Sequence, residues 1–120
     1  RRRRVAWKDL QSWRVVALRS TSANRQQIDE ALAAQGIASP WFDEVEHLSS
    51  MLGLLRGGVG IGVLPRLALQ AGAAADLLTR PLHAPDVVRR IGLIRRRDAA
   101  LSQPAAALWA MFQKQMARHA

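Results

Sequence analysis

The 120-residue chain has no cysteine, three histidines, and nine acidic residues against eighteen lysines and arginines. Without thiols there are no disulfides and no thiolate metal sites, and the absence leans towards a cytoplasmic setting. No apolar run approaches the ~20 residues that cross a bilayer. Arg1 to Arg4 supply neither an initiator Met nor the apolar core of a signal peptide, so we read the chain as part of a longer protein, starting in mid-chain. G-x-S-x-G, H-E-x-x-H and phosphate-loop signatures are missing, and His47, His83 and His119 are scattered. No catalytic residue, metal ligand or cofactor is expected.

What remains is 49% apolar and 22% charged, a composition that folds in water, with length for one modest domain or part of one. The net charge of +9 raises nucleic acid as a partner. Eight of the arginines sit in Arg1–Arg4 and in Arg89, Arg90, Arg95 and Arg96. Neither group carries interleaved aromatics or a reading helix, so the charge is read as solvated surface or as contact with parts outside this chain.

The most ordered pattern runs from Phe42 to Pro65, FDEVEHLSSMLGLLRGGVGIGVLP. Phe42–Val45 is strand-like, and Glu46-His47 is a polar break. Leu48, Met51, Leu52 and Leu55 then recur at the spacing of one helical stripe, which ends at Gly57-Gly58. A second apolar run, Val59–Leu64, stops at Pro65, which cannot extend a ladder. Strand, helix, glycine stop and strand make a βαβ unit, with parallel strands and a right-handed crossover. Open parallel sheets bind ligands beyond the carboxyl ends of their strands, here at Glu46-His47 and after Pro65.

Elsewhere, Trp7-Lys8-Asp9-Leu10 predicts a single helical turn and Trp13–Leu18 a buried strand. A helix is expected over about Ala23–Gln35, with Ser22 as N-cap, Ile28, Ala31 and Leu32 inside and Gly36 as the stop. Arg66–Gln70 reads as a short helix, Leu77–Leu82 as an edge strand and His83–Asp86 as a turn. Val87–Arg96 reads as an arginine-flanked strand. A closing helix follows from Ser102 and Pro104, with Leu108, Trp109, Met111 and Phe112 on a face that suits burial.

Glu44-Val45, a short polar loop, an apolar helix closing on Arg56-Gly57-Gly58, then Val59-Gly60-Ile61-Gly62-Val63-Leu64-Pro65 resemble the co-inducer-binding domain of LysR-type transcriptional regulators. Trp7-x-Asp9-Leu10 and the Leu101-Ser102-Gln103-Pro104 opening of the last helix fit the same resemblance, although Gln103 interrupts the usual Leu-Ser-Pro wording. The resemblance implies an α/β fold, a Rossmann-like subdomain of the type II periplasmic-binding-protein-like fold with a returning strand and helix from the partner subdomain. Residues 1–86 would form the effector-binding, second regulatory subdomain, and 87–120 would complete the first. The winged helix-turn-helix would lie before Arg1. A small, anionic effector would bind between subdomains of a homodimer or homotetramer, and DNA would be met only through the N-terminal domain. Residues 87–120 would then be swapped onto another copy, refolded against this lobe or poorly ordered.

The candidate effector contacts are Ser20, Thr21, Ser22, His47, Leu48, Ser49, Pro65 and Arg66. The serines and Thr21 stand at a helix start, where free N–H groups and the helix dipole favour a carboxylate or phosphate; the bland alternative is that Ser22 only caps and the others are solvated. His47 at the second strand-to-helix handover could donate to an anion and make binding pH-sensitive, or simply be an exposed histidine. Arg66 could pair with an acidic effector or lie on the surface. Gly58–Gly62 are not a phosphate loop, because they follow a helix and enter a strand. Glu44 and Glu46 share a strand face but lack a nucleophile or metal partner, so an acid/base pair is set aside. Two rival readings are a lobe of a periplasmic solute-binding protein and an oligomerisation module without a ligand.

Overall fold

The computed structural model describes residues 3–70 and 72–118. The chain divides into two compact units, residues 1–87 and 88–120. Arg1 and Arg2 of the amino-terminal arginine run, and His119, lie outside the described residues.

In the first unit β1 (Val5–Ala6) leads into a 3-10 turn over Trp7–Ser12, then β2 (Val15–Leu18), α1 (Ala23–Ala34), β3 (Trp41–Val45), α2 (Leu48–Arg56), β4 (Ile61–Gly62), α3 (Arg66–Gln70) and β5 (Leu82–His83). The apolar Trp7 and Leu10, three apart on the turn, are both buried. Trp13 is 60% exposed, contrary to its place in the expected strand. Its N–H still belongs to the turn, donating to the Leu10 carbonyl, and the ladder begins only at Val15.

The main sheet has the order β3-β2-β4, with both pairings parallel. Leu18 at the end of β2 lies opposite Val45 at the end of β3, and Val16 opposite Gly62 at the end of β4. Val15, Val16 and Ala17 are buried in succession, as expected of a central strand covered on both faces. On the Val15 side lie Trp7, Leu10 and Leu32 of α1, with Ile28, Ile37 and Trp41 packed around them. Towards Gly62, the partner of Val16, point Met51 and Leu55 of α2.

The glycines explain why this run ends and turns where it does. Gly58 takes φ 72°, a left-handed conformation that closes α2 without a Cβ penalty. Gly60 lies so close to β2 that a Cβ would collide with the Arg14 carbonyl oxygen, and Ile61 N–H donates to that same oxygen at 2.9 Å. The close approach seats β4 in the sheet, but the ladder then covers Ile61–Gly62 alone instead of Val59–Leu64.

Two other expected strands are also corrected. Of Leu77–Leu82 only Leu82 is in a strand, joined by His83 from the expected turn, and the two pair in parallel with β1 as a separate two-stranded sheet. The partner is itself two residues long because the chain turns at Trp7, and Pro81 enters only as an acceptor, from Val5 N–H at 3.0 Å.

Val87–Arg96, which runs from the last residue of the first unit into the second, forms no strand: no ladder includes it, and β-branched composition cannot make a strand without one. Helix α4 (Gln103–Ala117) forms as expected, with the Ser102 side chain accepting from Ala105 N–H and Pro104 in the first turn. Its apolar face is not buried. Leu108, Met111 and Phe112 are exposed, at 52%, 68% and 47%. Cap and alanine-rich composition suffice to make the helix, whereas burial needs an opposing layer that residues 88–102, without regular structure, do not provide. Among the described residues no helix is long and apolar enough to cross a membrane.

Candidate functional site

Because β2, β3 and β4 run in parallel, the loops that leave them open at one edge of the sheet. Arg19–Ser22 follows the central strand, Glu46-His47 follows β3 on one side, and Val63–Pro65 follows β4 on the other.

The first two loops are fastened to each other. Arg19 N–H donates to the Val45 carbonyl at 3.1 Å, and Arg19 Nη1 meets Glu46 Oε1 at 2.8 Å. Both side chains are more than half exposed, so the pair lies open to solvent at the rim. Behind it the Ser22 N–H donates to the Arg19 carbonyl at 2.9 Å, making the turn that hands the chain to α1.

Ser22 has the extended backbone of an N-cap, and its carbonyl accepts from Gln26 N–H at 3.0 Å, but its hydroxyl makes no capping hydrogen bond. His47 occupies the same position at α2, likewise without a side-chain cap. Capping therefore does not occupy either side chain. Ser20, Thr21, His47 and Ser49 are exposed, and Ser22 and Leu48 half-buried. Pro65 is half-buried and Arg66 exposed at the start of α3, beyond the other edge strand. Seven-eighths of the expected contacts thus sit on loops or first turns at the carboxyl edge, and the eighth, Arg66, opens the helix after it; the bonds above join only the first two loops.

Sequence reasoning missed the residue that holds the central loop. Arg25, in the first turn of α1, has a side chain only 11% exposed. Its Nη1 donates to the carbonyl of Leu18, the last residue of β2, at 3.1 Å and to Glu44 Oε1 at 2.9 Å. Its Nε donates to Asp29 at 3.0 Å, and the guanidinium lies 4.8 Å from the centre of the Trp41 ring. Asp29 in turn accepts from Trp41 Nε1 at 2.6 Å and from the Ser39 hydroxyl at 3.0 Å. One guanidinium thereby closes the β2-to-α1 loop and ties it to β3. The Arg25-x-x-x-Asp29 spacing was visible in the sequence. Glu44 and Trp41 join only through the strand order.

Glu44 lies in β3 and Glu46 just beyond its end, so they do not form one strand face; Arg25 of α1 holds the first and Arg19 of the β2-to-α1 loop the second. Two further forks brace the lobe. Arg14 Nε meets Asp43 at 2.6 Å, and Arg56 Nε meets Asp76 at 2.8 Å. Hydrogen bonding to Arg14 holds the Asp43 carboxyl below its usual range, and bonding to Arg56 does the same for Asp76.

The model of the LysR substrate binding domain family matches residues 1–117. The chain is 39% identical over 107 residues to a protein of Escherichia coli K12 named "Uncharacterized HTH-type transcriptional regulator YbhD", covering 89% of this chain and 34% of that protein. It is 34% identical over 111 residues to "Uncharacterized HTH-type transcriptional regulator YfeR" of Shigella flexneri, covering 92% of this chain and 36% of that protein. The chain thus spans about a third of the length of these relatives. No solved structure matches it.

Proposed function

The chain belongs to the LysR substrate binding domain family, and from that premise we propose that it is the effector-sensing part of a transcriptional regulator, taking a small anionic molecule at the carboxyl rim of its main sheet. The family carries the type II periplasmic-binding-protein-like α/β fold. The observation that supports this rim as the site is the shared exit of three strand-to-helix loops from parallel strands, with the Ser22 and His47 side chains free of capping.

Two longer helices begin at this rim, and their N-terminal N–H groups and dipoles favour negative charge. Ser20, Thr21, Ser22, His47 and Ser49 offer hydrogen-bond donors, and Arg66 offers a cation. Arg19 joins this set, since a ligand carboxylate can take the place of Glu46 on its guanidinium. The proposed role is binding without catalysis.

Residues 1–86 are assigned to the second regulatory subdomain and 87–120 to the strand and helix that complete the first. The exposed face of α4 and the ladder-free segment before it support this assignment, because each lacks the layer it would pack on. The effector would lie between the subdomains and change their relative orientation in a cytoplasmic homodimer or homotetramer. A helix-turn-helix domain outside this chain, of the kind named in both relatives, would carry the response to promoter DNA.

The test is a thermal-shift screen of the 120-residue chain against mono- and dicarboxylates. A ligand at a hundredfold excess over its Kd stabilises by ~2.7 kcal/mol, a rise in Tm on the order of 10 °C for a domain this size. The reading expects at least one carboxylate to give such a rise, and Ser22→Ala with Arg19→Ala to abolish it. A rise that survives both changes would place the site elsewhere.

A further inference from the structure

Trp7 and Trp41 stand edge to face, with ring centres 6.3 Å apart and planes at 84°. Each ring carries a further, directional link. On the rim side the Arg25 guanidinium lies 4.8 Å from the centre of the Trp41 ring, while its Nη1 donates to the carbonyl of Leu18, the residue before the first rim loop. Trp41 Nε1 is pinned to Asp29, one helical turn after Arg25, so α1 grips the ring by its face and by its edge. On the far side the buried Trp7 donates from Nε1 to the Pro85 carbonyl at 2.9 Å.

Pro85 belongs to a clamp where the chain enters and leaves the first unit. There β1 pairs with β5, Val5 N–H donates to the Pro81 carbonyl at 3.0 Å, and Arg4 meets Asp86 at 3.0 Å. Leu82 and Val87 pack against the same core cluster as Trp7. A continuous line therefore runs from Leu18 through Arg25, Trp41 and Trp7 to Pro85. The methyl contacts of Val15 and Leu32 beside it can slide, whereas ring stacking and hydrogen bonds fix angle as well as distance. In a close-packed interior, a plane displaced at one end displaces its neighbour.

We infer that Trp41 and Trp7 transmit a change at the rim to the clamp between Arg4 and Asp86, a regulatory role that rests on the rim being the effector site. An anion that takes Arg19 draws on the loop that begins after Leu18, and the Arg25 guanidinium follows the Leu18 carbonyl across the Trp41 face. The Trp41 edge turns Trp7, and Trp7 moves the Pro85 carbonyl. The clamp joins the entering and leaving segments of the unit, so an adjustment there passes to the chain that follows.

The experiment records backbone amide signals of the 120-residue chain by two-dimensional nitrogen–proton NMR, with Arg25→Lys as the disturbance at the rim end. Asp86 and Val87 are the readout at the clamp end. Both signals are expected to shift in Arg25→Lys. The shift is expected to be lost when Trp7→Phe is added, since phenylalanine keeps a ring in the core but cannot donate to Pro85. Should Trp7→Phe lose the dispersion of a folded spectrum, Trp41→Phe replaces it, giving up the bond to Asp29 with a ring kept. Arg56→Lys, which loosens the fork to Asp76 outside this line, is expected to leave Asp86 and Val87 in place. Signals unmoved by Arg25→Lys, moved as far with the tryptophan link broken, or moved as far by Arg56→Lys would each overturn the inference. No ligand is used, so that failure stays separate from a failure of the rim as the site, which a flat thermal-shift screen would show.

Discussion

Arg19 and Glu46 meet at 2.8 Å across the gap between the ends of β2 and β3, and both side chains are more than half exposed. An ion pair in that setting contributes about 1 kcal/mol or less to folding. Its interest lies in position, because it joins the two loops that carry Ser20–Ser22 and His47–Ser49. Glu46→Gln should leave the urea midpoint nearly unchanged. It should also tighten binding of whichever carboxylate gives the largest thermal shift, because Arg19 no longer has to be won from Glu46. Weaker binding by isothermal calorimetry would mean that Glu46 itself contacts the ligand.

Arg25 is the strongest candidate for a stability determinant among the charged residues. Arg25→Ala leaves Glu44 and the Leu18 carbonyl without their donor beside a largely buried site, and a loss of ~2–3 kcal/mol is expected. Arg25→Lys should recover only part of it, since an ammonium cannot meet Leu18, Glu44 and Asp29 at once while lying flat on Trp41. Urea denaturation with equal m-values checks both. A lysine variant as stable as the parent would show that charge alone matters there.

Gly60, just before β4, and Gly62, within it, face different neighbours. Gly60→Ala puts a Cβ into the Arg14 backbone carbonyl, which cannot yield without moving β2. Gly62→Ala meets Leu55 Cδ1 at 2.8 Å and Met51 Sδ at 3.1 Å, both side-chain atoms that can shift. Overpacking costs roughly 1–3 kcal/mol, with Gly60→Ala at or above the upper end and Gly62→Ala near the lower. The reverse order in thermal unfolding would contradict the close approach of β4 to β2.

Acid should weaken the lobe through Asp43 and Asp76. Each carboxyl titrates below its unfolded value because an arginine bonds to its ionised form. The stability it contributes is fully present above the ordinary carboxylate value of about 4 and is lost as pH falls through the lower folded value. Asp43→Asn with Asp76→Asn should therefore flatten the dependence of the urea midpoint on pH below about 4. An unchanged acid limb in that double variant would assign the dependence to other carboxylates.

What could be read from the residues followed how local the physics was. The α1 and α2 helices were legible because apolar stripes and glycine stops are written within each segment, and β2 because Val15, Val16 and Ala17 admit no solvated face. Parallel order followed from the βαβ pattern. By contrast, Val59–Leu64, Leu77–Leu82 and Val87–Arg96 all looked like strands by composition, yet a strand exists only as far as its partner pairs. Partner length is set by distant events, such as the turn at Trp7 that limits β1. The same holds at the rim: the loops could be foreseen, but Arg25 became visible as their brace only once β3 was placed beside β2.

The most direct test of the rim as a sensor is amide hydrogen exchange with and without the best-binding carboxylate. Protection gained within residues 19–23, 46–50 and 63–66 together, with little change in α4, is the expected result. Protection confined to a single one of those loops, or appearing instead on the amino-terminal side of the sheet around Arg14 and Gly60, would contradict it.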